Sequence, residues 1–336
     1  MNLDGDRSVR DRIMAELREA AKLVVITHEN PDGDALGSLV AMQGILRELG
    51  KDSVVFIDSR DLPLPQEYRF LALDGLVSEP PADLEERTIV FLDCGNVDRN
   101  PAEAFRRGGR DGLHILNIDH HHDNTCFGTV NMVVAEASCT AEIVWDLMAG
   151  LGVRPRGAVA DALYVGLITD TGRFMYENPG RRAHLMAADL IDAGVDVHTI
   201  YRRVYEGVPY GKLALLARGL TNIERYDDGR LTITALTAGD FSDSGAEESY
   251  SEGVVDHLRA VQGTRVAALV RDRLRNAGPN GARKVSLRAG DDSIDVSAIA
   301  RAQGGGGHRQ AAGFSTSLAH DELVAFLRAQ LAAQLQ

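Results

Sequence analysis

Four short segments of this chain gather acid and imidazole groups at places where a packed core has no use for them. His28-Glu29-Asn30-Pro31-Asp32-Gly33-Asp34 follows an apolar run, and Asp93 ends a second in Leu92-Asp93-Cys94-Gly95. Asp119-His120-His121-His122 ends a third, and Asp170 follows an apolar helical stretch in Asp170-Thr171-Gly172. Taken singly, an aspartate in such a position is a turn former or a helix cap, and a histidine run is a solvated loop. Taken together, the carboxylates would repel one another unless cations sat between them. Oxygen and imidazole donors with no thiolate partner suit Mn²⁺ or Mg²⁺ better than structural zinc.

The elements that must position these groups follow from periodicity. Apolar β-type runs at 22–27, 53–57, 88–93 and 113–119 alternate with a helical pattern at 35–50, the rhythm of βαβ units around a parallel sheet. Helical patterns follow at 140–149, 157–169 and 182–193. Ligands of open parallel sheets bind beyond the carboxyl ends of the strands, where three of the four polar segments fall. From Asp196, a candidate N-cap, the pattern is helical to Tyr226, and strand-like runs then appear at 231–236, 265–270 and 284–288. The fold class is therefore α/β, an N-terminal parallel-sheet domain (1–208) joined by a helical connector (209–226) to a smaller α/β domain (227–336). The acidic, Ser-rich patch at 241–251 reads as a solvated loop opening a helix, and a helical tail starts at His320.

The 336 residues carry 36 Lys+Arg against 49 Asp+Glu, a formal net charge of -13, so the molecule as a whole does not attract a nucleic-acid polyanion. Any nucleic acid it handles is short, or is held by a local basic patch or a metal ion. No run approaches the ~20 apolar residues of a membrane span, and the amino terminus lacks signal-peptide regions, which predicts a cytoplasmic protein without a membrane partner. Cys94, Cys126 and Cys139 show no paired spacing and read as reduced, mostly packed thiols.

The motifs HENPDGD (28–34), LDCG around Asp93, NIDHHHDN (117–124), AEASCTAEIVWDL (135–147), LITDTGRF (167–174), VSLRA (285–289) and GGGGHRQAAGF (304–314) occur in one order along the chain. In this the sequence resembles the DHH phosphoesterases, and within them the NrnA-type oligoribonucleases with a DHH-associated C-terminal domain. The resemblance implies that His28 and Asp32 bind one metal, that Asp34, His120 and Asp170 bind a second, and that Asp93 bridges both. It further implies that His121 touches a phosphoryl oxygen and that Asp119 orients a ligand histidine. The implied cofactor is a pair of Mn²⁺ ions, with Mg²⁺ as a substitute. Such a pair, about 3.5 to 4 Å apart, generates hydroxide and clamps an in-line displacement at phosphorus. Cys94, beside Asp93, then packs behind the site rather than attacking.

The glycine run Gly304 to Gly307 reads either as a flexible linker or as a phosphate or nucleobase seat, with 310–312 starting a helix whose positive end faces the anion. The resemblance favours the seat and implies substrate contacts from His308, Gly306 and Gly307 across a cleft, with Arg288 as a phosphate partner. Arg173 is either a phosphate ligand or half of a surface salt bridge, and Ser138 and Thr140 are either phosphate contacts or helix caps. The implied reaction is hydrolysis of short RNA or DNA oligonucleotides and dinucleotides to mononucleotides, with a second activity on 3′-phosphoadenosine 5′-phosphate. A cyclic or linear dinucleotide phosphodiesterase is the nearest alternative. A RecJ-like exonuclease on long single strands is a weaker alternative, because the chain has no room for extra nucleic-acid domains and no aromatic stacking platform is evident at 5% aromatics. A pyrophosphatase is disfavoured by the His308 segment, and a non-catalytic nucleotide-binding module by the complete acid and histidine set. A homodimer is compatible with the sequence.

Overall fold

The computed structural model describes residues 3–106, 112–274, 283–307 and 309–335, and the chain divides into two compact units, Met1–Gly207 and Val208–Gln336. In the first unit, helix α1 (Leu3–Glu19) precedes strand β1 (Lys22–Ile26), helix α2 (Gly33–Glu48) and strands β2 (Asp52–Phe56), β3 (Leu76–Val77) and β4 (Thr88–Leu92). The short helix α3 (Glu103–Arg106), strands β5 (Ile115–Asp119) and β6 (Val130–Val133), and helices α4 (Thr140–Leu151), α5 (Ala158–Asp170), α6 (Arg181–Asp192) and α7 (Val197–Tyr205) complete it.

The sheet order is β3-β2-β1-β4-β5-β6, and every pairing is parallel. The chain winds outward from β1 in one direction and from β4 in the other, so the crevice between their carboxyl ends is the switch point where such sheets bind ligands. Both faces are covered, which is why the strands read as unbroken apolar runs. Leu23 and Val25 of β1 enter the core beneath the helices, while Val24 and Ile26 face a smaller cluster with Phe56, Phe91 and Phe105.

Helix α2 is buried from Gly33 to Leu46 and packs against α5 through glycine contacts. A Cβ at Gly37 would stand 2.3 Å from the Ala162 carbonyl oxygen, and one at Gly166 would stand 2.9 Å from Asp34 Oδ1. Only glycine permits this approach, which sets the relative positions of the two helices that carry Asp34 and Asp170.

The second unit contains helix α8 (Tyr210–Thr221), strands β7 (Glu224–Tyr226) and β8 (Leu231–Leu236), helices α9 (Ala238–Ser244) and α10 (Val254–Arg259), and strands β9 (Val266–Asp272) and β10 (Arg283–Ala289). Helix α11 (Val296–Arg301), strands β11 (Gly306–Gly307) and β12 (Ala311–Thr316) and helix α12 (His320–Gln334) follow. Its mixed sheet runs β11-β12-β10-β9-β8-β7, with β8 and β9 the parallel pair.

Three sequence expectations are corrected. The stretch from Asp196 to Tyr226 is two helices and a strand, with Asp196 capping α7 by accepting from the Thr199 amide. Residues 241–251 are a helical end and a 3₁₀ turn with Phe241 and Ser251 buried, rather than a solvated loop. Residues 311–312 begin β12, not a helix, because Ala312 pairs with Leu287 of β10 and alternate residues of the strand enter the core. Among the described residues, no helix is long and apolar enough to cross a membrane.

Candidate metal centre

Beyond the end of β1, His28 is 5% exposed and donates from Nδ1 to the Glu29 main-chain carbonyl at 2.7 Å. That bond fixes the tautomer and turns Nε2 toward Asp93 Oδ2, 3.5 Å away. Asp32 is the N-cap of α2, its Oδ1 accepting the amides of Asp34 and Ala35 at 3.1 Å each, so capping and clustering coexist in one side chain. Asp34, 1% exposed, accepts the Thr140 amide at 2.6 Å and the Ala141 amide at 2.9 Å. A carboxylate on one helix thus satisfies the amino-terminal amides of another, α4, where the helix dipole favours it.

Asp93 follows β4 with φ 56°, in the left-handed region that costs a non-glycine residue about 1–2 kcal/mol. The turn places its two oxygens toward different partners. Oδ2 faces His28 Nε2, while Oδ1 accepts the Thr140 hydroxyl at 3.0 Å and stands 3.6 Å from His120 Nε2. His120 in turn donates from Nδ1 to the Ala137 carbonyl at 3.4 Å and faces Asp170 Oδ2 at 3.7 Å. Three sets of donor atoms converge within 4.8 Å: His28, Asp32 and Asp93; Asp34, His120 and Asp170; and Asp93, His120 and His121.

These donor separations exceed the about 2.7–3.2 Å of a hydrogen bond. Neighbouring donors around a cation with bonds near 2.1 Å are about 3.0–3.4 Å apart, so a cation between them needs shifts of a few tenths of an ångström. Protonation points the same way. Burial first, then the charges of Asp93, Asp170 and Asp32, pushes Asp34 well above the usual carboxylate range. Burial and the charges of Asp93 and Asp32, opposed by His120, carry Asp170 to about 7. Asp93 is held below the usual range, because His28, His120 and His121 outweigh its burial. A cluster that holds Asp93 ionised while pushing Asp34 and Asp170 toward their protonated forms lacks positive charge, and its oxygen and imidazole donors fit divalent cations.

Asp119, fully buried, accepts from His121 Nδ1 at 2.8 Å and from Asn124 Nδ2 at 2.6 Å. Burial alone would depress His121, but the Asp119 hydrogen bond and the charges of Asp119 and Asp93 raise it to about 9. The histidine that Asp119 steadies is therefore His121, not the expected ligand His120, which is held by a carbonyl instead. His122 is exposed. Burial pushes the Cys94 thiol up to about 12 and Cys139 well above its ordinary value, so neither is a thiolate nucleophile.

Neither Ser138 nor Thr140 is the helix cap. Cys139 is the N-cap residue of α4, the Ser138 hydroxyl donates to the Asn178 carbonyl at 3.2 Å, and the Thr140 hydroxyl is committed to Asp93. Arg173 is exposed and lies 5.1 Å from the Tyr205 ring centre, and among the described residues it makes no ion pair. In the second unit, Arg288 Nε is 3.2 Å from Asp256 Oδ1, and Gly306 and Gly307 pair as an edge strand with Gly313 and Ala312 rather than forming a loose linker. His308 lies outside the described residues.

Sequence reasoning missed Arg99 and Asn124. Arg99 ends the 3₁₀ turn Val97–Arg99, its carbonyl accepts the Glu29 amide at 2.8 Å, and its charge opposes protonation of both His28 and His121. Among the described residues it makes no ion pair, and its position six residues after Asp93 was the available signal.

A doubly wound parallel sheet with a carboxylate and histidine cluster at its switch point defines a metal-dependent hydrolase site. Residues 22–167 match the DHH family, N-terminal domain, and residues 229–333 match the DHHA1 domain. The bifunctional oligoribonuclease and PAP phosphatase NrnA of Thermus thermophilus is 32% identical over 308 residues, covering 90% of this chain and 87% of the relative. The Bacillus subtilis protein of the same description is 23% identical over 302 residues, covering 87% and 88%. An exopolyphosphatase-related protein from Bacteroides fragilis shares the fold with a TM-score of 0.86 at 23% identity, over 97% of this chain and 96% of its own. The chain belongs to the DHH family of metal-dependent phosphoesterases, in the group that carries a DHHA1 domain.

Proposed function

We propose that the chain is a two-metal phosphoesterase that hydrolyses short oligonucleotides, nanoRNA and short single-stranded DNA, to mononucleotides, and that it also removes a phosphate from 3′-phosphoadenosine 5′-phosphate. The observation that carries this reading is the two-sided Asp93, with one oxygen toward His28 and the other toward His120. The full-length similarity to NrnA proteins supports the substrate class. A net charge of -13 favours short substrates over long strands.

In this proposal His28, Asp32 and Asp93 hold one cation, and Asp93, Asp34, His120 and Asp170 hold the other, Mn²⁺ with Mg²⁺ as a substitute. When bound, the pair supplies an activated water and neutralises charge on the phosphoryl oxygens. The Glu29 and Ala137 carbonyls keep the ligand nitrogens of His28 and His120 aimed inward. The Thr140 hydroxyl and the α4 amides hold Asp93 and Asp34 in place. Asp119 and Asn124 position His121, to which we assign contact with a phosphoryl oxygen. Gly306, Gly307, His308 and Arg288 are assigned to substrate in the second unit, and Arg173 to phosphate in the first. The three free cysteines support a cytoplasmic location.

The test is turnover of end-labelled RNA and DNA from two to about twenty-five nucleotides, beside cyclic dinucleotides and 3′-phosphoadenosine 5′-phosphate, with manganese and with chelator. Mononucleotide release peaking at about two to four nucleotides, and lost with chelator, is expected. A rate that climbs steadily with length and falls steeply with salt would overturn the reading in favour of a processive exonuclease.

A further inference from the structure

Immediately after Asp170 the backbone adopts an unusual course. Gly172, Arg173 and Phe174 have φ of 54°, 63° and 64°, three successive residues in the left-handed region, where a bulky side chain such as Phe is a rare occupant. The turn is tightly held. The Arg173 amide donates to the Ile168 carbonyl at 2.7 Å, the Phe174 amide to the Thr171 hydroxyl at 3.1 Å, and the Met175 and Tyr176 amides to the Thr171 carbonyl at 3.1 Å each. The loop then returns to its origin, since the Asn178 amide group donates to the Asp170 carbonyl at 3.1 Å and to the Ser138 carbonyl at 2.8 Å. It is thus fastened on both sides to the segments that carry the metal centre.

This course sends side chains in opposite directions. Phe174 turns inward and stacks on His184 with ring centres 5.0 Å apart. Met175 and Tyr176 turn outward, 80% and 58% exposed. The Tyr176 ring covers Gly172, where a Cβ would meet its ring carbons at 2.5 Å, so one edge of the ring is backed by the strained turn while much of the side chain is open to water. Folding gains nothing from holding a thioether and an aromatic ring in water on a strained turn beside a metal ligand. A planar apolar ligand that binds there would gain from both, with the Arg173 guanidinium, over the Tyr205 ring, at the same turn.

We propose that Met175 and Tyr176 form a stacking seat for a nucleobase next to the phosphate that is cleaved, with Arg173 at its edge. The seat rests on the proposed function for its substrate class, but its geometry belongs to the first unit alone. Any base presents a flat face, so the seat is tolerant of sequence. The chain has few aromatic residues, 5% in all, yet it places one on the turn that follows Asp170, over Gly172.

The test measures binding of AMP and ribose 5-phosphate to the manganese-loaded protein by calorimetry, in wild type, Tyr176→Ala, Tyr176→Phe and Met175→Ser. We expect AMP to bind about 10- to 100-fold more tightly than ribose 5-phosphate in wild type. Tyr176→Ala should collapse that ratio, Tyr176→Phe should keep it, and Met175→Ser should reduce it, all with an unchanged manganese isotherm. If wild type fails to cleave dinucleotides but the ratio still collapses in Tyr176→Ala, the seat stands and the proposed function falls. A ratio unaffected by Tyr176→Ala overturns the seat. So does a Tyr176→Ala variant that changes oligomeric state while keeping the ratio, which would show that a second copy of the chain covers these residues.

Discussion

The two ends of the parallel sheet handle charge in opposite ways. At the amino ends of the strands, Lys22 Nζ lies 3.0 Å from Asp83 and 2.6 Å from Glu86, while Arg87 lies 2.7 Å from Asp83 and 3.3 Å from Asp52. Cations and carboxylates there alternate and complete one another. At the carboxyl ends, Asp32, Asp34, Asp93, Asp119 and Asp170 gather with no Lys or Arg partner among the described residues, and histidines are the only ionisable groups paired with Asp93, Asp119 and Asp170. One end is a finished structural network, and the other is stable in full ionisation only with cations from outside. The same fold element therefore separates a surface that closes itself from one built to take up a ligand.

The contrast is broken most severely at Asp93. Asp93→Ala should lower kcat on a dinucleotide by at least about 10³-fold in saturating manganese, because the group shared by both ion sites is gone. Asp83→Ala, at the opposite end, should leave kcat unchanged. Steady-state rates of the two variants check this, and near-wild-type activity of Asp93→Ala would refute the bridging assignment. Asp119→Ala, which releases His121 without removing a proposed metal ligand, should lower kcat about 10- to 100-fold with an unaltered manganese isotherm.

A further effect is on stability. Chelating the metal should lower Tm by about 5–10 °C. This follows from about 2.7 kcal/mol of binding stabilisation at a hundredfold excess over Kd and about 2–4 °C per kcal/mol for a unit of this size. Differential scanning calorimetry with manganese and with chelator measures it. An Asp83→Ala variant should show the same metal-dependent increment, whereas Asp93→Ala should lose most of it.

Which parts of this contrast are legible in sequence follows from physics. Strands buried on both faces must be continuously apolar, so an Asp or His that stops such a run stands out, and His28, Asp93 and Asp119 were found that way. Asp34 and Asp170 were legible as acids at the ends of helical patterns. The partners that hold them were not, since the Thr140 hydroxyl meets Asp93 only because α4 crosses the sheet end. The glycine and alanine stretch after His308 misled for a different reason. Alanine is the best helix former, but pairing with β10 overrides that preference in Ala311–Thr316. The strained turn after Asp170 left no periodic signal, since its conformation depends on hydrogen bonds to Thr171 and Ile168.

The smallest expected effect is also the one that reads both ends in a single experiment, the pH dependence of Tm in metal-free protein. Asp170 stands at about 7 against an ordinary 3.8, so the folded state binds a proton that the unfolded state has lost between those values. Its contribution is present below about pH 4 and disappears as pH rises through about 7. Asp83 is the mirror case, lowered from 3.8 to about 2 by hydrogen bonds from Arg87 and then Lys22. Its contribution is present above about pH 4 and disappears as pH falls toward about 2. Asp170→Asn should therefore flatten the decline of Tm between about pH 4 and 7 and leave the acid limb alone, while Asp83→Asn should soften only the acid limb. Manganese should abolish the Asp170-dependent decline, because binding requires the deprotonated carboxylate and releases its proton. Curves for the two variants that run parallel to wild type across both windows would show that the ends of the sheet do not differ as their charges imply.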